Sequence, residues 1–183
     1  MKNLIIALFI TVSTSIYAQD TEMLGFINQY RSFNGKSALV WSCDLAKVSK
    51  TQTAVIIKQD SLSHSHVTTE IATMGSSLPS TNDEKTRFIC FLKSVFGIDY
   101  IEPENDTDVV KYVKLYAIYM FDQSPKHKAI LLGDYKSIGF DIITTDIKFK
   151  SNTIKIGDKT IEYKNFVSHY EVKFYVVMNF KSE

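Results

Sequence analysis

The sequence predicts an α+β fold in which helices cover an antiparallel sheet. Two observations predict it. As far as about Leu132, apolar residues recur at the three-to-four spacing of helices, and beyond Gly133 the period drops to two, as in strands. Helices first and strands last is the order of α+β architecture, not the alternation of a parallel α/β fold. A hydrophobic content of 45% supplies a sizeable core.

The chain opens MKNLIIALFITVSTSIYAQD, with Lys2, an apolar run from Leu4 to Ile10 and small polar residues up to Ala18. This reads as a secretory signal peptide over residues 1–18, the run being too short to span a bilayer. The expectation is a secreted or periplasmic protein with a single domain over 19–183 and no transmembrane segment after cleavage. No cysteine stands near the cleavage point, which argues against a lipid anchor there. The whole chain has 21 basic and 20 acidic residues, so losing Lys2 leaves the mature chain formally neutral. That balance excludes the basic footprint of a nucleic-acid binder, and no polybasic run marks a membrane-docking segment. Cys43 and Cys90 could form one disulfide in an exported chain or stay as two buried thiols.

The first helix is expected over Thr21–Phe33, with Met23, Leu24, Ile27 and Tyr30 at helical spacing, Asp20 or Thr21 as N-cap and Asn34-Gly35 as the stop. A second runs from Asp44 to about Gln59, weakened by β-branched residues. The stretch SLSHSHVTTEIATMGSSLPS, rich in hydroxyls and carrying Gly75 and Pro79, reads as a loop. Thr81 and Glu84 have capping-box spacing for a third helix, which buries Phe88, Phe91, Leu92 and Val95 before Gly97. A fourth follows from about Thr107, with Asp106 and Asp108 at the positive end of its dipole and an apolar stripe through Val109, Val113, Tyr116, Ala117 and Met120.

Ser124-Pro125 opens a fifth, short helix: serine is a favoured N-cap, and proline loses no hydrogen bond at the first helical position. His127 is then the third residue, its backbone N–H within reach of the Ser124 hydroxyl and its ring beside the positive dipole end. Such a place disfavours imidazolium and leaves a neutral ring nitrogen free to bind. A serine-nucleophile reading of Ser124 is set aside because capping accounts for the Ser-Pro pair. The segments SIGFDIITT, IKFK, TIKI, TIEYK and YEVKFYVVMNF read as strands, with IGDK as a turn between two of them.

Placed in order, these segments resemble the CAP superfamily (cysteine-rich secretory, antigen 5 and pathogenesis-related proteins) in its bacterial, SCP-like form. The resemblance rests on Asn28 and Arg31 three apart, then Gly35, Leu39, Trp41, Leu45 and Ala46; on His64-Ser65 followed by Glu70; and on SPKHKAILL before the Ile-Gly of the next strand. VVMNF is similar to the closing strand of the family. The match spans about Met23 to Phe180. Departures are Thr69-Glu70-Ile71 in place of Gly-Glu-Asn, Phe121 in place of tryptophan, Lys126 in place of glycine, and no counterpart for a second acid. The segments 80–105 and 146–166 are longer or more divergent.

The resemblance implies an α-β-α sandwich with a three-stranded antiparallel sheet, and a cleft shared by His64, His127 and Glu70. His64 and His127 would be metal ligands, with Glu70 as ligand, partner of a ligand, or catalytic acid/base. Two imidazoles and a carboxylate can hold Zn²⁺ with an open water position; the same groups can also form a hydrogen-bonded histidine pair without metal. His66 reads as solvent-facing by alternation along an extended loop, and His169 as a surface or sheet-edge residue. Three functions follow: a secreted binding module for a lipid, peptide or cell-envelope ligand, which the resemblance favours; a metal-assisted hydrolase using His64, Glu70 and His127; or a structural protein with a vestigial cleft.

Overall fold

The computed structural model describes residues 21–65, 68–79, 81–150, 152–156, 159–163 and 169–182. The expected leader, Asp20, His66, the side chain of His169 and the centre of the IGDK turn lie outside them. Helix α1 covers 21–33, as its periodicity predicts. It leads to the short strand β1 (Val40–Trp41) and to α2 (Cys43–Gln59), which Ser42 caps by accepting the Leu45 N–H. Strand β2 is Thr69–Ser77. Helix α3 (Asn82–Phe91) is capped by Thr81, which accepts from the Glu84 N–H at 3.2 Å. It runs on through one π-type turn, Leu92–Phe96, to Gly97, whose φ of 67° takes the left-handed conformation that ends the helix. Helix α4 (Asp106–Gln123) is capped by Asn105, and α5 (Pro125–Leu131) follows directly. Strands β3 (Ser137–Lys150), β4 (Asn152–Ile156), β5 (Lys159–Tyr163) and β6 (His169–Lys181) complete the chain.

The main sheet has the order β1-β3-β6-β2. β3 and β6 form a long antiparallel hairpin, β2 pairs antiparallel with β6, and β1 pairs parallel with β3. The sheet is therefore four-stranded and mixed, one short parallel strand more than the three antiparallel strands the resemblance implies. β4 and β5 pair only with each other.

The larger correction is β2, which lies inside the stretch expected to be loop. Its serines and Gly75 favour turns, although its threonines suit a strand, and Ile71, Ala72 and Thr73 are buried against the apolar β6. Cross-strand packing supplies what local preference lacks. Gly75, which argued for a loop, leaves the space that the Phe174 ring occupies: a Cβ there would sit 2.4 Å from the ring.

One sheet face packs against α1, α3, α4 and α5 through an aromatic core in which Phe88 meets Tyr116 edge-on at 5.3 Å and Tyr116 meets Phe174 at 6.2 Å. Two buried lysines enter this layer with their partners, Lys114 with Glu22 at 2.6 Å and Lys85 with Glu102. Among the described residues the other face carries α2. There the apolar cluster is small, Ile56 with Ala72, Tyr175 and Val177, and beside it and Leu45 polar Ser49, Gln52 and Thr53 are buried too. Gly139 permits the close approach of α2, since a Cβ would lie 2.1 Å from the Ala46 nitrogen. Cys43 and Cys90 are free and exposed, so neither a bridge nor a pair of buried thiols is present.

The Asn28 and Arg31 pair stitches the chain. Asn28 both accepts from the Leu39 N–H (2.8 Å) and donates to its carbonyl (3.0 Å). Arg31, fully buried, donates to the carbonyls of Ser37 (2.9 Å), Leu131 (2.7 Å) and Gly133 (3.1 Å). Arg31→Met should therefore strand several buried carbonyls and lower unfolding stability by about 3 kcal/mol in urea denaturation. Asp141, under α2, has one carboxylate oxygen without a partner. Burial raises its pKa above the ordinary 3.8, against opposing pulls from Thr53 and Lys50. A raised carboxyl pKa means that the folded state holds the proton longer, so stability falls as pH rises through it and the cost is in force at neutral pH. Asp141→Asn should raise the urea midpoint at neutral pH and lose that advantage in acid.

Candidate functional site

The candidate site lies where the loop after α2 reaches the start of β2. Glu70 is the second residue of β2, and its side chain is only 2% exposed. Its two oxygens are both engaged. Oε2 accepts from the Ser65 hydroxyl at 2.8 Å, while Oε1 accepts from the Ser65 N–H at 3.3 Å and meets His64 Nδ1 at 3.1 Å. A carboxylate only accepts, so Nδ1 carries a proton and donates in this contact, and in the neutral ring Nε2 is then the acceptor. The His64 side chain is 44% exposed, so its ring is held at the back and open at the front.

A second chain of hydrogen bonds fixes the same loop from inside. Thr68 donates its hydroxyl to Asn179 Oδ1, Asn179 Nδ2 donates to Ser49 Oγ at 2.8 Å, and Ser49 donates to the Gly139 carbonyl at 2.9 Å. Asn179 stands directly opposite Glu70 in the β2–β6 register. These three supporting residues were missed in the sequence. The one legible signal is Asn179, a fully buried amide inside the apolar run VVMNF.

His127 arrives from α5. Ser124 closes α4 and opens α5 as its N-cap, but its hydroxyl makes no capping hydrogen bond, contrary to the expectation; the cap is made by the backbone, with Lys128 N–H donating to the Ser124 carbonyl at 2.8 Å. The His127 ring packs edge-on to Phe121 at 5.4 Å, and Asp122 steadies the joint by accepting from the Tyr30 hydroxyl and pairing with Lys128, both at 2.7 Å. The pKa of His127 lies below the ordinary 6.5, chiefly through burial and additionally through the charge of a protonated His64. Burial, more than the helix dipole, keeps the ring neutral.

The three expected residues are thus gathered unequally. His64 and Glu70 touch, His127 is close enough to feel the charge of His64, and no hydrogen bond joins His127 to either. Among the described residues no three histidine, cysteine or acidic side chains are grouped so as to hold a metal ion. Glu70 is occupied as the partner of His64, which leaves two imidazoles where a zinc centre needs three or four protein ligands. Among the described residues the donor set therefore falls short of a zinc centre. What the arrangement offers instead is two imidazole rings at one edge of the sheet, that of His127 held toward its neutral form by burial.

A family model described as the cysteine-rich secretory protein family, CAP, matches residues 24–153. No curated protein and no solved structure matches the chain. The matched region carries the Asn28 and Arg31 pair, His64, Glu70 and His127 and stops before β6. No helix among the described residues is long and apolar enough to cross a membrane.

A lowered histidine pKa means that the folded state binds fewer protons than the unfolded chain, so stability is complete above the unfolded value and is lost as pH falls through 6.5. His127→Gln should shrink the stability difference between about pH 7 and about pH 5 measured by chemical denaturation. An unchanged difference would show that the ring is not held neutral by the fold.

Proposed function

The chain belongs to the CAP family, and from that premise we propose that it is an extracellular binding module whose cleft at the β2 edge recognises a lipid, peptide or cell-envelope ligand through His64 and His127. The observation that carries this reading is the engagement of Glu70. Both of its oxygens are taken by Ser65 and His64, so this carboxylate shapes a loop and holds the His64 ring toward the site. A hydrolase would need a carboxylate or imidazole free to take a proton from water and a group to polarise the scissile bond. The imidazoles of His64 and His127 could take that proton, but among the described residues no metal-holding group stands ready to polarise the scissile bond. His64 Nε2 and the neutral ring of His127 can instead accept hydrogen bonds from a ligand that enters beside Phe121.

The test is a set of titrations followed by NMR of the histidine rings. The titrants are a fatty acid, a short peptide and a soluble peptidoglycan fragment, each against wild type, His64→Ala and His127→Ala. At least one titrant should shift both rings together, and either substitution should weaken it about tenfold, the loss of one hydrogen bond to a buried partner. Turnover of any of these compounds that Glu70→Gln abolishes would replace the binding reading with a catalytic one. Zinc is titrated alongside: heat seen in wild type but absent from both histidine variants would restore the metal centre.

A further inference from the structure

Helix α2 is built with its polarity turned round. It buries Ser49, Gln52 and Thr53 beside Leu45 and Ile56, while Val55 and Ile57 are exposed and Leu62, just past its end, is 50% exposed. Lys47, Lys50, Thr51, Ala54, Val55 and Lys58 line a shallow outward hollow of about 620 Å³. Their spacing of three and four puts them on one side of the helix. We infer that this outward face of α2 docks the protein on an anionic lipid surface.

The charge on the face is cationic and only partly compensated. Asp44 is the single acid of α2 and pairs with Lys47 at 3.2 Å; Asp60, just beyond the helix, pairs with Lys173 at 2.9 Å. Among the described residues Lys50 and Lys58 take part in no ion pair, and Lys50 has only the half-buried Asp141 beneath it. The flanking apolar side chains choose between anionic partners. A soluble polyanion would use the lysines and gain nothing from Val55, Ile57 and Leu62, whereas a bilayer takes both, phosphates against the ammonium groups and apolar tips into the boundary beneath. Leu62 follows the end of α2 and is exposed, and the next residue, Ser63, is anchored by Gln52 Nε2, which donates to its carbonyl (2.7 Å) and hydroxyl (3.0 Å). No run of basic residues announces this face in the sequence, because the helix assembles it from lysines spread over Lys47 to Lys58.

The inference is independent of the ligand at His64 and His127. It is tested by co-sedimentation of the full chain with mixed phosphatidylcholine–phosphatidylglycerol vesicles and with pure phosphatidylcholine vesicles, every variant being compared with wild type so that residues 1–20 contribute equally. Wild type should bind the mixed vesicles more tightly and release them in high salt. Lys50→Ala and Lys58→Ala should each cost about fivefold in partitioning. Leu62→Ser should weaken binding with the lysines intact. All three positions are exposed, and unchanged circular dichroism confirms that each variant is folded. Equal partitioning of wild type and the lysine variants, or loss through the lysines with none through Leu62→Ser and full competition by a soluble polyanion, overturns the lipid assignment.

Discussion

A single buried guanidinium holds the candidate site in place. Arg31 reaches from α1 to the carbonyls of Ser37, Leu131 and Gly133, which joins the first helix to the approach of β1 and to the end of α5. Helix α5 is two turns long and buries only Leu131 fully, too little to stand alone. Its last carbonyls need donors, and Arg31 provides them. Burial pulls the arginine's pKa down, with Asp134 and Tyr135 opposing, yet a guanidinium stays charged at any physiological pH. The placement of His127 thus depends on a residue in another helix, one that bonds the chain at the end of α5 and just beyond it, and not His127 itself.

The opposite wall depends on a different device. His64 sits on a loop whose position comes from polar groups: Glu70 behind the ring, and Thr68, Asn179 and Ser49 further along the loop. Both devices spend charged or amide groups inside the protein, where each must be fully satisfied or become a cost. Asp141 is the place where that rule is broken, and it lies in the same seam between α2 and the sheet.

Much of this was legible. The helices follow from apolar spacing and their caps, and Thr81 with Glu84 behaves as its spacing predicts. Ser124-Pro125 marked the α4–α5 joint, although the hydroxyl does not make the bond expected of it. β2 was not legible, because Thr69, Thr73, Ser76 and Ser77 acquire strand geometry from the apolar β6 that they pair with, and a partner about a hundred residues away leaves no local trace. β1 has two residues and no periodicity to read. The candidate residues at the cleft were visible from the order of motifs, but the engagement of both Glu70 oxygens depends on how the loop folds back, which spacing does not encode.

The two faces of the sheet are held by different physics, and temperature should separate them. The aromatic side depends on apolar surface withdrawn from water, an attraction that fades on cooling. The α2 side depends more on hydroxyl and amide contacts, among them Ser49 to Gly139 and Asn179 to Ser49, whose strength does not follow that curve. Chilling therefore takes more from the thick aromatic layer than from the seam under α2, where a smaller share of the contact is apolar.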